Sequence, residues 1–114
     1  MHELSIAASI VDLAQEEAER RGVRVLAIHL TLGALSGVVR ESLEGSYEMV
    51  AAGTTLEGSR LVIHEQPLVV FCPACSQPRQ LVSIQSLICP ECGTPAGEVL
   101  EGRELQVTAL EVSE

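Results

Sequence analysis

Residues 71–93 read FCPACSQPRQLVSIQSLICPECG: Cys72-Pro-Ala-Cys75, thirteen residues, then Cys89-Pro-Glu-Cys92 with Gly93 behind it. Two CxxC pairs at this separation have the spacing of a four-cysteine metal site. Pro follows the first Cys of each pair and fixes φ, while Gly93 permits φ > 0. Both suit a tight knuckle whose backbone N–H groups point at sulfur. The soft all-sulfur set favours tetrahedral Zn2+; iron and disulfides are the other readings of the same four residues. A closed thiolate shell keeps no open coordination position, so Cys72, Cys75, Cys89 and Cys92 point to a structural centre, not a catalytic one.

Around these knuckles the composition changes. Over residues 68–96, Cys, Pro, Gln and Ser replace an Ala/Leu/Glu background, and the apolar pieces Val69–Phe71 and Leu81–Ile88 are too short for helices. This is expected to be a zinc-ribbon module of two knuckles and short strands. Such a segment lies below the ~40 residues at which an apolar core alone usually suffices, so the metal must hold it. Structural zinc supplies about 10–16 kcal/mol in small peptides, which is enough.

Outside the module the periodicities are those of an α+β fold. Residues 4–21 carry Leu4, Ala7, Ala8, Val11, Ala14 and Ala18 at helical spacing, widened by Ile6, Ile10 and Leu13, and Gly22 stops the helix. Val23–Leu32 alternates, with Leu26, Ile28, Leu30 and Leu32 on one face and Val25, Ala27, His29 and Thr31 on the other. A Gly33–Gly37 turn follows, from which Ser36 is placed to cap a second helix over Val38–Ala52, with Val39, Leu43, Tyr47 and Val50 as its buried stripe. Arg60–Glu65 is a second strand, and Pro67 breaks its ladder. Leu105–Val112 is a last strand, placed to return to the first sheet. The expected architecture is a small mixed α/β domain, two helices packed on a three-stranded sheet, made of residues 1–67 and 97–114. The zinc ribbon of residues 68–96 is inserted into it.

Sixteen acidic residues face seven basic ones, all Arg, for a net charge of −9. That surface repels phosphate backbones and argues against nucleic acid as the main partner. Tyr47 and Phe71 are the whole aromatic complement, so base-stacking platforms are absent as well. No apolar run is long enough to span a bilayer, and Met1-His2-Glu3 does not begin a signal peptide, so the expected location is cytoplasmic. No nucleophile has a plausible base and no phosphate-cradling loop is present, so the chain does not read as an enzyme.

Met1-His2-Glu3 is the second candidate metal site. A free α-amino group, the amide nitrogens that follow it and an imidazole at position 2 can wrap one divalent ion in fused chelate rings. Anionic amide donors favour square-planar Ni(II) or Cu(II). His2 supplies the imidazole, Met1 the amine, and Glu3 a further ligand or charge balance. The plain alternative is a frayed terminal His with no role. His29 and His64, each within an expected strand, read as ordinary hydrogen-bonded or surface histidines, with metal ligation the lesser alternative.

The Met1-His2-Glu3-Leu4-Ser5 start, the Leu32–Val38 turn, the paired CPxC knuckles and the Gly102…Leu105…Leu110-Glu111-Val112 ending together resemble the HypA/HybF hydrogenase maturation family. The resemblance runs over essentially the whole chain. It implies a non-enzymatic nickel metallochaperone with His2 as nickel ligand, Met1 and Glu3 in the same site, and Cys72, Cys75, Cys89 and Cys92 on structural zinc. It also implies work with a HypB-type GTPase to load the large subunit of [NiFe]-hydrogenase, with urease maturation served by some members, as a monomer or homodimer. Some relatives carry a His beside the cysteine knuckles; residues 68–96 here contain none. The competing readings are a zinc-ribbon adaptor without nickel function, which the acidic charge opposes, and a rubredoxin-like electron carrier, which Ser76 in place of a knuckle Gly opposes.

Overall fold

A computed structural model describes residues 2–114. Two helices, α1 (Glu3–Arg21) and α2 (Arg40–Ala51), accompany six strands: β1 (Arg24–Gly33), β2 (Arg60–Gln66), β3 (Leu68–Cys72), β4 (Gln77–Leu81), β5 (Glu98–Glu101) and β6 (Leu105–Ser113). One sheet has the order β2-β1-β6 and the other β4-β3-β5. The expected α+β class, with two helices and a three-stranded sheet closed by the final strand, is what forms. The chain divides into two compact units, residues 1–30, 37–64 and 106–114 in the first and residues 31–36 and 65–105 in the second.

In the first unit, α1 packs against α2. Ala7, Ile10, Val11 and Ala14 bury the α1 stripe, and Leu43, Tyr47 and Ala51 bury that of α2. Leu4, expected on the α1 stripe, and Leu13, expected to widen it, stand exposed, as does Val39 ahead of α2. Gly22 takes φ 65 at the end of α1 and returns its N–H to the last helical turn, the left-handed stop that its sequence position implies. Ser36 is not the cap of α2. The N-cap is Val39, without a side-chain cap of its own, and its N–H is bonded instead by the Glu3 carboxylate at 3.2 Å. A helix N-terminus welcomes an anion wherever it comes from, and here it comes from the start of α1.

The alternation of β1 also differs from expectation. Val25 and Ala27 are buried, and so are Ile28, Leu30 and Leu32, while Leu26 is exposed. The phase of burial slips by one residue at Ala27-Ile28, where two consecutive side chains are buried. From that slip onward His29 and Thr31 occupy the outer face.

The second unit is built on β3, which pairs antiparallel with β4 from Leu68↔Leu81 to Cys72↔Gln77 and with β5 on its other side. Its core is Leu68, Val70, Leu81 and Ala96, with Leu35, Leu87 and Val99 against it. Among the short strands expected of the module, the apolar piece Leu81–Ile88 supplies only Leu81; the polar run Gln77–Leu81 pairs instead. The first knuckle forces this outcome, because a turn at residues 73–76 folds whatever follows it straight back along β3. Pro78 is tolerated because β4 is an edge strand. Gly33 threads past Gly102 so closely that a Cβ on it would lie 2.1 Å from the Gly102 carbonyl oxygen.

Candidate metal centre

Each knuckle presents its first cysteine inward and its second outward. Cys72 and Cys89 are buried, Cys75 is partly buried, and Cys92 is exposed. The first turn is closed by the Cys75 N–H on Cys72 Sγ at 3.3 Å. The second is closed by the Gly93 N–H on the Cys89 carbonyl and the Cys89 N–H on the Thr94 carbonyl, both at 2.9 Å. Gly93 sits at φ 75 and Ser76 at φ 54, so the two knuckles share one left-handed residue after the last cysteine. The absence of Gly at position 76 therefore does not change the turn; it adds strain to it.

All four sulfurs lie within 4.8 Å of one another. Cys72 and Cys92 approach to 3.5 Å and Cys75 and Cys89 to 3.9 Å. Four thiolates at about 2.3 Å from a tetrahedral ion stand roughly 3.8 Å apart, so the cage has the dimensions of a zinc site. All four are free cysteines, so the disulfide reading is set aside.

Electrostatics favour the same conclusion. Burial acts to raise the Cys89 thiol, but the N–H groups of Cys92 and Glu91 outweigh it and draw its pKa down to about 6. The Thr94 hydroxyl and N–H lower Cys92. Arg79 acts to lower Cys75, yet the crowding sulfurs of Cys92 and Cys72 prevail and push it up to about 11. Four converging sulfurs cannot all ionise on their own, whereas a divalent cation among them removes the conflict.

Arg79 was not singled out by sequence reasoning. Its guanidinium lies against the Cys75 and Cys89 sulfurs, which hold its proton more tightly, and its buried Nε has no hydrogen-bond partner. A cation placed beside four thiolates fits a centre whose sulfurs, once metal-bound, carry excess negative charge. The available signal was that Arg79 is the only basic residue in residues 68–96.

Of the N-terminal candidates, Met1 lies outside the described residues. His2 is exposed at the N-cap of α1 with extended backbone (φ −91, ψ 91), and its carbonyl accepts the Ile6 N–H at 3.2 Å. Glu3 follows as the first helical residue. The Val39 N–H, together with its own, holds its carboxyl below the usual value of 4.5. His29 and His64 are hydrogen-bonded to each other at 2.8 Å, a pairing across 35 residues that no local motif announces.

Comparison with known proteins agrees with this geometry. The family model described as "Hydrogenase/urease nickel incorporation, metallochaperone, hypA" matches residues 1–112. A hydrogenase maturation factor HypA of Chloroflexus aurantiacus is 47% identical, covering 97% of this chain and 98% of its own. One of Geobacter sulfurreducens is 40% identical over 98% of this chain and 99% of its own. In fold, the solution structure of a HypA protein superposes with a TM-score of 0.71 at 19% identity, covering 99% and 97% of the two chains. That of the Ni metallochaperone HypA from Helicobacter pylori gives 0.62 at 20% identity, covering 97% of each. The chain therefore belongs to the HypA family of hydrogenase/urease nickel-incorporation metallochaperones.

Proposed function

We propose that this chain carries Ni(II) at Met1-His2-Glu3 and, in the cytoplasm, passes it with a HypB-type GTPase to the large subunit of [NiFe]-hydrogenase. The observation that supports the site is the placement of His2. Its imidazole is exposed, and the amide N–H groups of His2 and Glu3 precede the first intrahelical bond, so neither donates to a helical carbonyl. Those nitrogens are the donors that Ni(II) prefers. The Glu3 carboxylate, kept ionised by the Val39 N–H, puts a negative charge beside them. An exposed chain end can surrender its ion by stepwise ligand exchange, whereas a buried closed shell retains it.

Zn2+ fits Cys72, Cys75, Cys89 and Cys92. When bound it supplies cross-linking and charge neutralisation, and Arg79 balances the thiolates that remain in excess. In this reading residues 68–96 are a rigid zinc ribbon inserted between the two parts of the nickel-binding domain.

The test is His2→Ala on untagged protein. Nickel binding by calorimetry should disappear, while zinc content and far-ultraviolet circular dichroism stay as in the parent. Undiminished nickel affinity in this variant would refute the site.

A further inference from the structure

Three strands of the β2-β1-β6 sheet each contribute one side chain to a row across its outer face: His64 from β2, His29 from β1 and Glu111 from β6. His29 Nδ1 lies 2.8 Å from His64 Nε2, and His29 Nε2 lies 2.5 Å from Glu111 Oε2. The ring planes differ by 11° with centroids 5.1 Å apart, a separation filled by the hydrogen bond and the two ring radii. The rings therefore lie edge to edge in nearly one plane, and their in-plane nitrogen orbitals point at a shared spot. Thr108 Oγ1 bonds the His29 carbonyl at 3.4 Å, and Arg60 approaches the other Glu111 oxygen at 3.9 Å.

This arrangement has a defined proton inventory. The His29 hydrogen bond holds Glu111 in its ionised form, so Glu111 accepts and the His29 proton sits on Nε2. With both rings neutral, Nδ1 of His29 is then a lone pair, and the proton between the rings belongs to His64 Nε2. A carboxylate that fixes one imidazole nitrogen as donor, and so frees the other as a ligand, is the support that metal-binding histidines receive.

We propose that His29 Nδ1 and His64 Nε2 form a second-cargo site for a borderline divalent ion (the Zn2+, Ni2+, Cu2+ class), with Glu111 as the positioning residue behind His29 and water completing the shell. The ion takes the place of the proton between the rings, and that proton moves to the outward Nδ1 of His64. Two imidazoles on one tetrahedral ion stand about 3.3 Å apart for metal–nitrogen distances near 2.0–2.1 Å. The 2.8 Å pair must therefore open by roughly half an ångström. His64 is exposed and can swing outward, while His29 is held between its two neighbours. Imidazole rather than carboxylate as the direct donor selects the zinc, nickel and copper group over magnesium or calcium. The site stands independently of the nickel reading of Met1-His2-Glu3.

The experiment uses the full chain with its cysteines zinc-replete and with His2→Ala, so that the terminal imidazole cannot take the added ion. Zn2+ is titrated while long-range proton–nitrogen spectra follow each imidazole. His29 Nδ1 and His64 Nε2 should move together and saturate, and the free protein should show His29 protonated at Nε2. Glu111→Gln should raise the dissociation constant about tenfold, the loss typical of removing such support. Unchanged ring nitrogens at millimolar zinc would overturn the proposal. So would a His29→Asn/His64→Asn double variant that still takes the ion with the same affinity, or a Glu111→Gln variant that binds as tightly as its parent.

Discussion

Gly33→Ala should destabilise the protein far more than a methyl group on a surface strand would suggest. The added Cβ would meet the Gly102 oxygen at 2.1 Å, the Gly102 carbonyl carbon at 2.3 Å and the Glu104 nitrogen at 2.7 Å, all backbone atoms that no rotamer change can move. Relief requires the first of these to open to the 3.4 Å of ordinary contact, a movement of 1.3 Å. Two hydrogen bonds hold the segments together, Gly33 N–H to the Glu104 carbonyl at 2.7 Å and Leu35 N–H to the Gly102 carbonyl at 2.6 Å, and neither survives that displacement. Breaking them inside a buried segment costs about 2–5 kcal/mol, counting the groups left without partners. At roughly 4 °C per kcal/mol for a chain of this size, the midpoint should fall by about 8–20 °C. Thermal unfolding by circular dichroism measures it, with Gly37→Ala as control. Gly37 has φ 78 and open space around it, so its substitution carries only the left-handed penalty of about 1 kcal/mol. If the two variants melt together, the close-approach argument is wrong.

Ser76→Gly should stabilise the zinc-loaded protein by about 0.5–1 kcal/mol, because φ 54 is strained for Ser and free for Gly; a lower denaturation midpoint in urea would contradict this. Arg79→Met should release zinc to a chelating dye about tenfold faster by removing the cation beside Cys75 and Cys89, and a wild-type release rate would show that the guanidinium is a bystander. Glu3 has a folded pKa below 4.5, so its contribution to stability is complete above that value and is lost as pH falls through the lower folded value. The difference in midpoint between the parent and Glu3→Gln should therefore be full at neutral pH and shrink in acid; a difference that grows on acidification has the wrong sign for this account.

Local chemistry was legible in the chain, and long-range geometry was not. The CxxC spacing announced a four-sulfur cage because each pair fixes its own turn, and the cage formed with the dimensions zinc requires. Helices α1 and α2 declared themselves by period, and Gly22 stopped α1 in its left-handed conformation. The errors arose where tertiary contact overrode a local signal. Ser36 looked like a cap, but Glu3, 36 residues earlier than Val39, performs that task. Leu81–Ile88 is the more apolar piece, yet the knuckle folds the polar Gln77–Leu81 against β3. Alternation put Leu26 on the inner face of β1, and a one-residue slip turned it out. Arg79 and the His64–His29–Glu111 row could be suspected only as isolated residues, since sheet pairing brings His29 to a carboxylate 82 positions away.

X-ray absorption at the nickel and zinc edges of untagged protein loaded with both ions decides whether two chemically unlike metal sites share this chain. Nickel should show nitrogen and oxygen neighbours, and zinc four sulfur neighbours. A nickel shell of several thiolate sulfurs would place the cargo among Cys72, Cys75, Cys89 and Cys92 and contradict the two-site reading.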